Sequence, residues 1–390
     1  MSVGIERLAV YVPGEAVQIA ALAAARGKPV DAFEGGRGRQ AFAVAAPCED
    51  VVTLAATAGG RVLRAAGMGT SEVGLLLIAS ATASTPLQPV TSHVHTLLGL
   101  GRHCRSVDVV AGNVGSTAAV LFAHDWVQAG GIRNRCALVI AADVVRTRPR
   151  TPRELGQGAA AVAMVIGLAP QLLILSEDGV PIAMRRPAAR QPYREALTEA
   201  FQAVRQVERP VLEGSEALTD RLAHVLYQAS SPATVTAAHR QVLELDWRAA
   251  TGRWPATTTD AEATAQIQPW TAVVAQIGST RAAALWLALA ASVESDGRRL
   301  GGRRVGAFAF DPAVGGEFFT GLVPAAVGRV SETGLGTALA ARTWLDPDAY
   351  VARDGRIVGG DPPPGFAGDF LYVTTRRRQR LYVARASSAG

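Results

Sequence analysis

Cysteine is scarce in this chain, and what there is does not pair by pattern. Cys48, Cys104 and Cys136 are the whole complement of 390 residues, and they match neither a disulfide framework nor the spacing of a zinc site. That points to a reduced, cytoplasmic protein. Aromatic residues make up only 6%, so the core must close through small aliphatic side chains. No unbroken apolar run approaches the roughly 18 residues of a membrane span, and no basic-then-apolar leader opens the chain. No glycine-rich nucleotide loop, metal-ligand cluster or aromatic-and-basic sheet signature is present, which argues against a bound metal, a permanently bound cofactor and a nucleic-acid partner.

What is abundant is apolar and small. The hydrophobic fraction is 49% and glycine numbers 40, enough for a large duplicated unit with closely packed elements. The excess of 39 Lys+Arg over 33 Asp+Glu suits either plain solubility or an attraction to phosphates and acidic carriers. The basic loop with Arg146, Arg148, Arg150 and Arg153 and the run Arg376 to Arg378 allow the same two readings.

Short apolar runs alternate with amphipathic ones. Ile5–Tyr11, Val73–Ile78, Ser106–Val110, Ala137–Ala142 and Ala159–Ile166 read as buried strands, while Asp50–Ala66 and Gly115–Val127 read as helices. The order then repeats. VGSTAAVLFAHDWVQAGGIRNRCALVIAAD from Val114 is matched by IGSTRAAALWLALAASVESDGRRLGGRRVGAFAFD from Ile277. Each copy gives a small-residue turn, a helix, a Gly/Arg-rich loop and an apolar strand ending in aspartate, Asp143 or Asp311. The expected architecture is an α/β fold in α-β-α-β-α layers with two similar halves, 1–187 and 218–390. A charged helix or connector, 188–217, joins them.

One turn stands out: SVDVVAGNVGSTAAV, where a strand meets a helix at Asn113 between Gly112 and Gly115. Such turns expose one side chain beside helix amides that stabilise anions. An amide has no ionisable proton near neutrality, which makes acylation through Asn113 chemically implausible. Its carboxamide can hold a thioester carbonyl or carboxylate, or simply shape the turn.

These segments resemble the thiolase-fold condensing enzymes, in the hydroxymethylglutaryl-CoA synthase branch with some likeness to ketoacyl synthase III. GIERLAVYVPGEAV is similar to the opening strand and loop of that family, and DVVAGNVGSTAAV to the segment of its active cysteine. GQGAAAVAMVIG is similar to its closing first-half strand, AHVLY to its histidine segment, GAFAFDPAVGGEFFTG to its glycine-rich turn, and GDFLYVTTRRRQRLYVAR to its terminal hairpin. Carried over residue by residue, the resemblance puts the cysteine at Asn113, the acid–base glutamate at Ala81, the histidine at His224 and the neighbouring asparagine at Ser279. The serine of the glycine-rich turn falls at Pro312.

The resemblance therefore implies His224 and Asn113 as catalytic groups, together in one pocket. It places Ser279, Ala81, Thr82, Gly112 and Asp311 against the substrate. His224 also admits the plainer role of a satisfied half-buried residue, and Ser279 that of a helix cap. Cys48, ahead of a helix, is the one thiol open to activation. The implied substrate is a CoA or phosphopantetheine thioester, and the implied partners are acyl-CoA or an acyl carrier protein. A homodimer is expected, or a heteromer with a cysteine-bearing homologue. Without the cysteine or the glutamate, the expected function is direct acyl transfer rather than hydroxymethylglutaryl-CoA synthesis. Decarboxylation of a malonyl-type thioester and a silent partner subunit are the alternatives.

Overall fold

The structure, a computed structural model, describes residues 2–83, 88–131, 135–151, 153–175, 180–183, 192–208, 212, 216–252, 264–325, 327, 332–353, 356–376 and 379–385. Arg377, Arg378 and parts of the expected connector lie outside the described residues.

The first half supplies β1 (Gly4–Tyr11), β2 (Glu15–Gln18), β3 (Ala41–Val44), β4 (Val73–Ala79), β5 (Arg105–Val109), β6 (Cys136–Val145), β7 (Gly158–Gly167), β8 (Leu173–Leu175) and β9 (Val180–Ala183). The second supplies β10 (Leu222–Tyr227), β11 (Arg304–Asp311) and β12 (Gly315–Leu322). One mixed sheet runs in the order β10-β11-β12-β8-β1-β7-β6-β4-β5, with β9 paired to β12. Strands β4 and β7 are buried at every residue, because helices cover both faces and no polar side needs water.

The helices used below are α1 (Ile19–Ala24), α2 (Val30–Glu34), α3 (Val51–Ala66), α4 (Val90–Leu97), α5 (Gly115–Gln128), α6 (Tyr193–Glu208), α7 (Pro232–Thr251), α8 (Gln268–Ile277) and α9 (Ala284–Leu300). Two of them follow the segments that begin at Val114 and Ile277: α5 lies against β4, β6 and β7, and α9 against β10 and β11. The charged stretch after Pro192 is α6, which buries Leu197, Phe201 and Val204. Asp50 caps α3 by accepting the Thr53 N–H at 3.0 Å while Thr53 Oγ1 accepts the Asp50 N–H at 2.9 Å, a reciprocal box that fixes the start of the helix. The expected hairpin forms as β13 (Phe370–Arg376) and β14 (Gln379–Ala384), and its Arg380 and Tyr382 both reach Asp50 at 2.8 Å.

One strand corrects the sequence reading. Ser106–Val110 was expected to be buried, yet Val107 is 51% and Val110 87% exposed. Strand β5 is the last in the sheet, with β4 on one side only. An apolar run reveals strand propensity but not whether a neighbour covers its outer edge.

Candidate functional site

Strand β5 leads into the Ala111–Val114 turn, and Gly112 makes that turn possible. Its φ is 54°, and a Cβ there would stand 2.2 Å from Asp311 Oδ2, so both the backbone and the space require glycine. Asp311 ends β11 and fastens the turn across the molecule: Oδ2 accepts the Asn113 N–H at 2.9 Å, and Oδ1 accepts the Ala313 N–H at 2.8 Å. It is a clamp on the turn and does not line the cavity beyond it.

That cavity, about 280 Å³, is lined by Asn113, Ser279 and Pro312, joined by Tyr193 at the start of α6, Gln228 just after β10, and Arg281. Two polar atoms in it are buried with no partner, Asn113 Oδ1 and the Tyr193 hydroxyl. Burial pushes the Tyr193 phenol far above its ordinary range, so it stays protonated and is a hydrogen-bond donor. The ring is held edge-on by Phe308 and Phe310, with centroids 5.3 and 5.1 Å away. Leaving such groups unpaired costs about 1–3 kcal/mol each, and two on residues lining one cavity mark a place where a ligand's polar groups fit. Gln228 is differently used. Its Oε1 accepts the Phe310 N–H at 2.9 Å and its Nε2 donates to the Arg281 carbonyl at 3.2 Å, so it braces the wall. None of the described lining residues is cysteine, histidine, aspartate, glutamate or lysine.

His224 is not in this cavity. Its Nδ1 meets the Gln266 carbonyl at 3.1 Å and its Nε2 meets Asp296 Oδ2 at 3.0 Å. The wall residue Gln228 lies four strand positions further along, a separation of about 13 Å. Helix α9 tells the same story: Ala284 lines the cavity, and Asp296 follows twelve residues later, about 18 Å down the axis. The sequence expectation of one pocket shared by His224 and Asn113 is corrected here. A histidine on the right strand sits too near its beginning.

Ala81 and Thr82 do not line this cavity and instead gather around Asp143. This carboxylate is fully buried. Its Oδ1 accepts from Ser80 Oγ (2.9 Å), the Ala81 N–H (2.8 Å) and Thr82 Oγ1 (2.7 Å), and its Oδ2 from the Ala282 N–H at 2.8 Å. Burial raises its pKa to about 6, and the four hydrogen bonds hold it from going higher. Ser279 lines the cavity while its N–H donates to the Gln157 carbonyl at 2.9 Å. Cys48 is buried, and desolvation pushes its thiol up to about 11, which removes the expected route to activation.

Sequence reasoning missed Tyr193, Gln228 and Arg281. Tyr193 sits in a stretch read only as a connector. Arg281 had one legible signal, its place in the IGST turn that repeats VGST, but its φ of 44° was not legible. A non-glycine residue held there carries strain of about 1 kcal/mol or more, which the surrounding structure must overcome.

The arrangement has known counterparts. Residues 1–171 match the family described as hydroxymethylglutaryl-coenzyme A synthase N terminal. Over the whole chain, the solved structure of MvaS in complex with 3-hydroxy-3-methylglutaryl coenzyme A is 28% identical and superposes with a TM-score of 0.87, covering 98% of this chain and 99% of that one. The fold is thiolase-like, of the hydroxymethylglutaryl-CoA synthase type. The synthase fold also superposes on the curacin pathway HMG synthase in complex with acetyl donor-ACP, with a TM-score of 0.83 at 20% identity, covering 99% and 100% of the two chains.

Curated relatives match over shorter stretches. The hydroxymethylglutaryl-CoA synthase of Enterococcus faecalis is 28% identical over 180 residues, 46% of each chain. The matched stretch thus spans less than half of that relative. The β-ketoacyl-[acyl-carrier-protein] synthase III of Pectobacterium atrosepticum is 30% identical over 219 residues, 52% of this chain and 62% of that enzyme. Among the described residues, no helix is long and apolar enough to cross a membrane and no acidic, cysteine or histidine cluster could hold a metal ion.

Proposed function

We propose that the Asn113 cavity binds the acyl end of a CoA- or carrier-linked thioester without acylation and decarboxylates a malonyl-type acyl group. The observation that carries this reading is the pair of unpartnered buried atoms, the acceptor Asn113 Oδ1 and the donor Tyr193 hydroxyl, in a cavity whose described lining holds no carboxylate, histidine, lysine or thiol. A thioester carbonyl placed there accepts from the Tyr193 phenol and from the Asn113 Nδ2–H, while Asn113 Oδ1 is left for a donor on the substrate, such as an amide N–H of its pantetheine arm. When the carbon–carboxylate bond of a malonyl thioester breaks, its electron pair moves onto the thioester oxygen, giving carbon dioxide and an enolate. A donor phenol and an amide N–H stabilise that oxygen most when it is anionic, as a neutral acid in an apolar site does elsewhere. Water at the cavity mouth then returns a proton to carbon, leaving an acetyl thioester. No nucleophile and no base are needed, which fits the resemblance placing Asn113 and Ala81 where the synthases carry cysteine and glutamate.

Direct acyl transfer, the first expectation from the sequence, needs a base for its acceptor. With His224 committed to Asp296, the described lining provides none. The thioester itself is supported by the solved relative bound to a CoA thioester and by the relative named for acyl carrier protein. Arg281, an exposed residue lining the same cavity, suits the anionic end of such a substrate. The test is mass spectrometry of malonyl-CoA and malonyl-carrier incubations. Acetyl thioester, carbon dioxide and unmodified protein are expected. A covalent acyl adduct, or no turnover alongside a co-purifying cysteine-bearing homologue, would replace this reading.

A further inference from the structure

A second cavity, about 440 Å³, is lined by Thr82 and Ala83 among others, and Arg281 lines both cavities. Among the described residues its charged lining is one-sided: Arg146, Arg153, Arg281 and Arg380 against Asp50. Asp50 is already occupied by Arg380, Tyr382 and its own helix cap. Arg146 is held inward, donating to the carbonyls of Ala46, Glu49 and Arg356. That bonding leaves its Nε–H buried without a partner, and the adjacent Thr147 hydroxyl is buried and unpartnered too. The remaining lining, including Val51, Val90, Val144 and Ile357, is apolar.

We infer that this cavity is a binding site for a carboxylate carried on a short apolar stem. Orphaned donors on two consecutive lining residues, a surplus of guanidinium groups and aliphatic walls describe such a ligand from head to tail. A guanidinium N–H and a hydroxyl pair naturally with carboxylate oxygens, and burying the stem on the valines adds affinity in proportion to its apolar area. The aspartate in the wall and the aliphatic lining favour a monoanion over a phosphate dianion. The shared Arg281 makes the two cavities neighbours, so the ligand is a second small molecule, substrate or effector, bound beside the thioester. This site does not depend on the decarboxylation reading.

The test is a ligand-observed NMR titration of the full chain with pentanoate, pentanol and pentyl phosphate, without thioester. Pentanoate should bind at least about tenfold more tightly than pentanol. Thr147→Val, which keeps the shape and removes the hydroxyl donor, and Arg153→Met, which lines only this cavity, should each weaken it about threefold to tenfold with melting temperature retained. Pentanoate binding no tighter than pentanol, or indifferent to both substitutions, overturns the site. Tighter binding of pentyl phosphate overturns the carboxylate assignment. Failure of malonyl turnover with pentanoate binding intact counts against the thioester reading alone.

Discussion

Asp311 reaches from the end of β11 to the first half of the chain, where its Oδ2 accepts the Asn113 N–H at 2.9 Å. Asp143, at the matching place in β6, returns the contact by accepting the Ala282 N–H at 2.8 Å from the second half. Asp311 ends β11 and Asp143 lies two residues before the end of β6, and each pins the turn ahead of a helix in the other half of the chain. The Ser116 hydroxyl adds a third crossing bond to the Ala282 carbonyl at 2.6 Å. The reciprocal clamps hold the Asn113 wall and the Arg281 wall at a set separation, which is what a preorganised cavity requires.

The two clamps should differ in their effects. Asp143→Ala leaves four donors, two of them on buried residues, without an acceptor and should cost about 3–5 kcal/mol, read by denaturant unfolding. Asp311→Ala frees two backbone amides and should cost about 1–2 kcal/mol, with malonyl turnover falling further than stability. Equal stability losses would contradict the burial difference.

Tyr193→Phe separates chemistry from folding. The hydroxyl has no partner in the protein, so its removal should leave the melting temperature unchanged or raise it by the equivalent of about 1 kcal/mol. Malonyl-thioester turnover should fall about 10²-fold, the usual scale for one donor to a developing oxyanion. Undiminished turnover would remove the phenol from the mechanism.

Asn113→Ala should also lower turnover by about 10²-fold, and intact-protein mass after incubation with acetyl-CoA should show no acyl adduct on the wild type. Gly112→Ala should be far more damaging, because its methyl group would collide with Asp311.

His224→Ala should behave as a structural change. Loss of the contacts to Gln266 and Asp296 should lower stability by about 1–3 kcal/mol, with turnover of the folded fraction within about twofold of wild type. A selective loss of turnover with unchanged stability would bring His224 back into the reaction.

Glu317 gives a pH signature. Burial raises its pKa to about 7, above the unfolded value, so the native state binds the proton more tightly. Its contribution is therefore fully present at pH 4 and is lost as pH rises through about 7. Glu317→Gln should flatten that decline in the melting temperature and stabilise the protein at pH 8 by about 2 kcal/mol. A wild-type melting temperature that rises between pH 5 and 8, unaffected by the substitution, would contradict it.

The sequence by itself determined the layers. VGLLLIA in β4 and GAAAVAMVIG in β7 have no polar face, so only positions covered on both sides suit them. Asp50 with Thr53 three residues on marks the start of α3 through local bonding alone. The repeat from Val114 and Ile277 was visible because helix and strand periods recur in the same order, and the Asn113 turn because Gly112 must adopt a left-handed backbone. These signals all come from neighbours a few residues apart. The tertiary structure decided what depends on distant neighbours: that β5 has a bare edge, that Arg146 turns inward to carbonyls, and that the Tyr193 hydroxyl is left without a partner. It also decided His224. A two-residue period tells which face of a strand a side chain occupies, but how far along the strand the site lies is set by α9 and the turns packed beyond it.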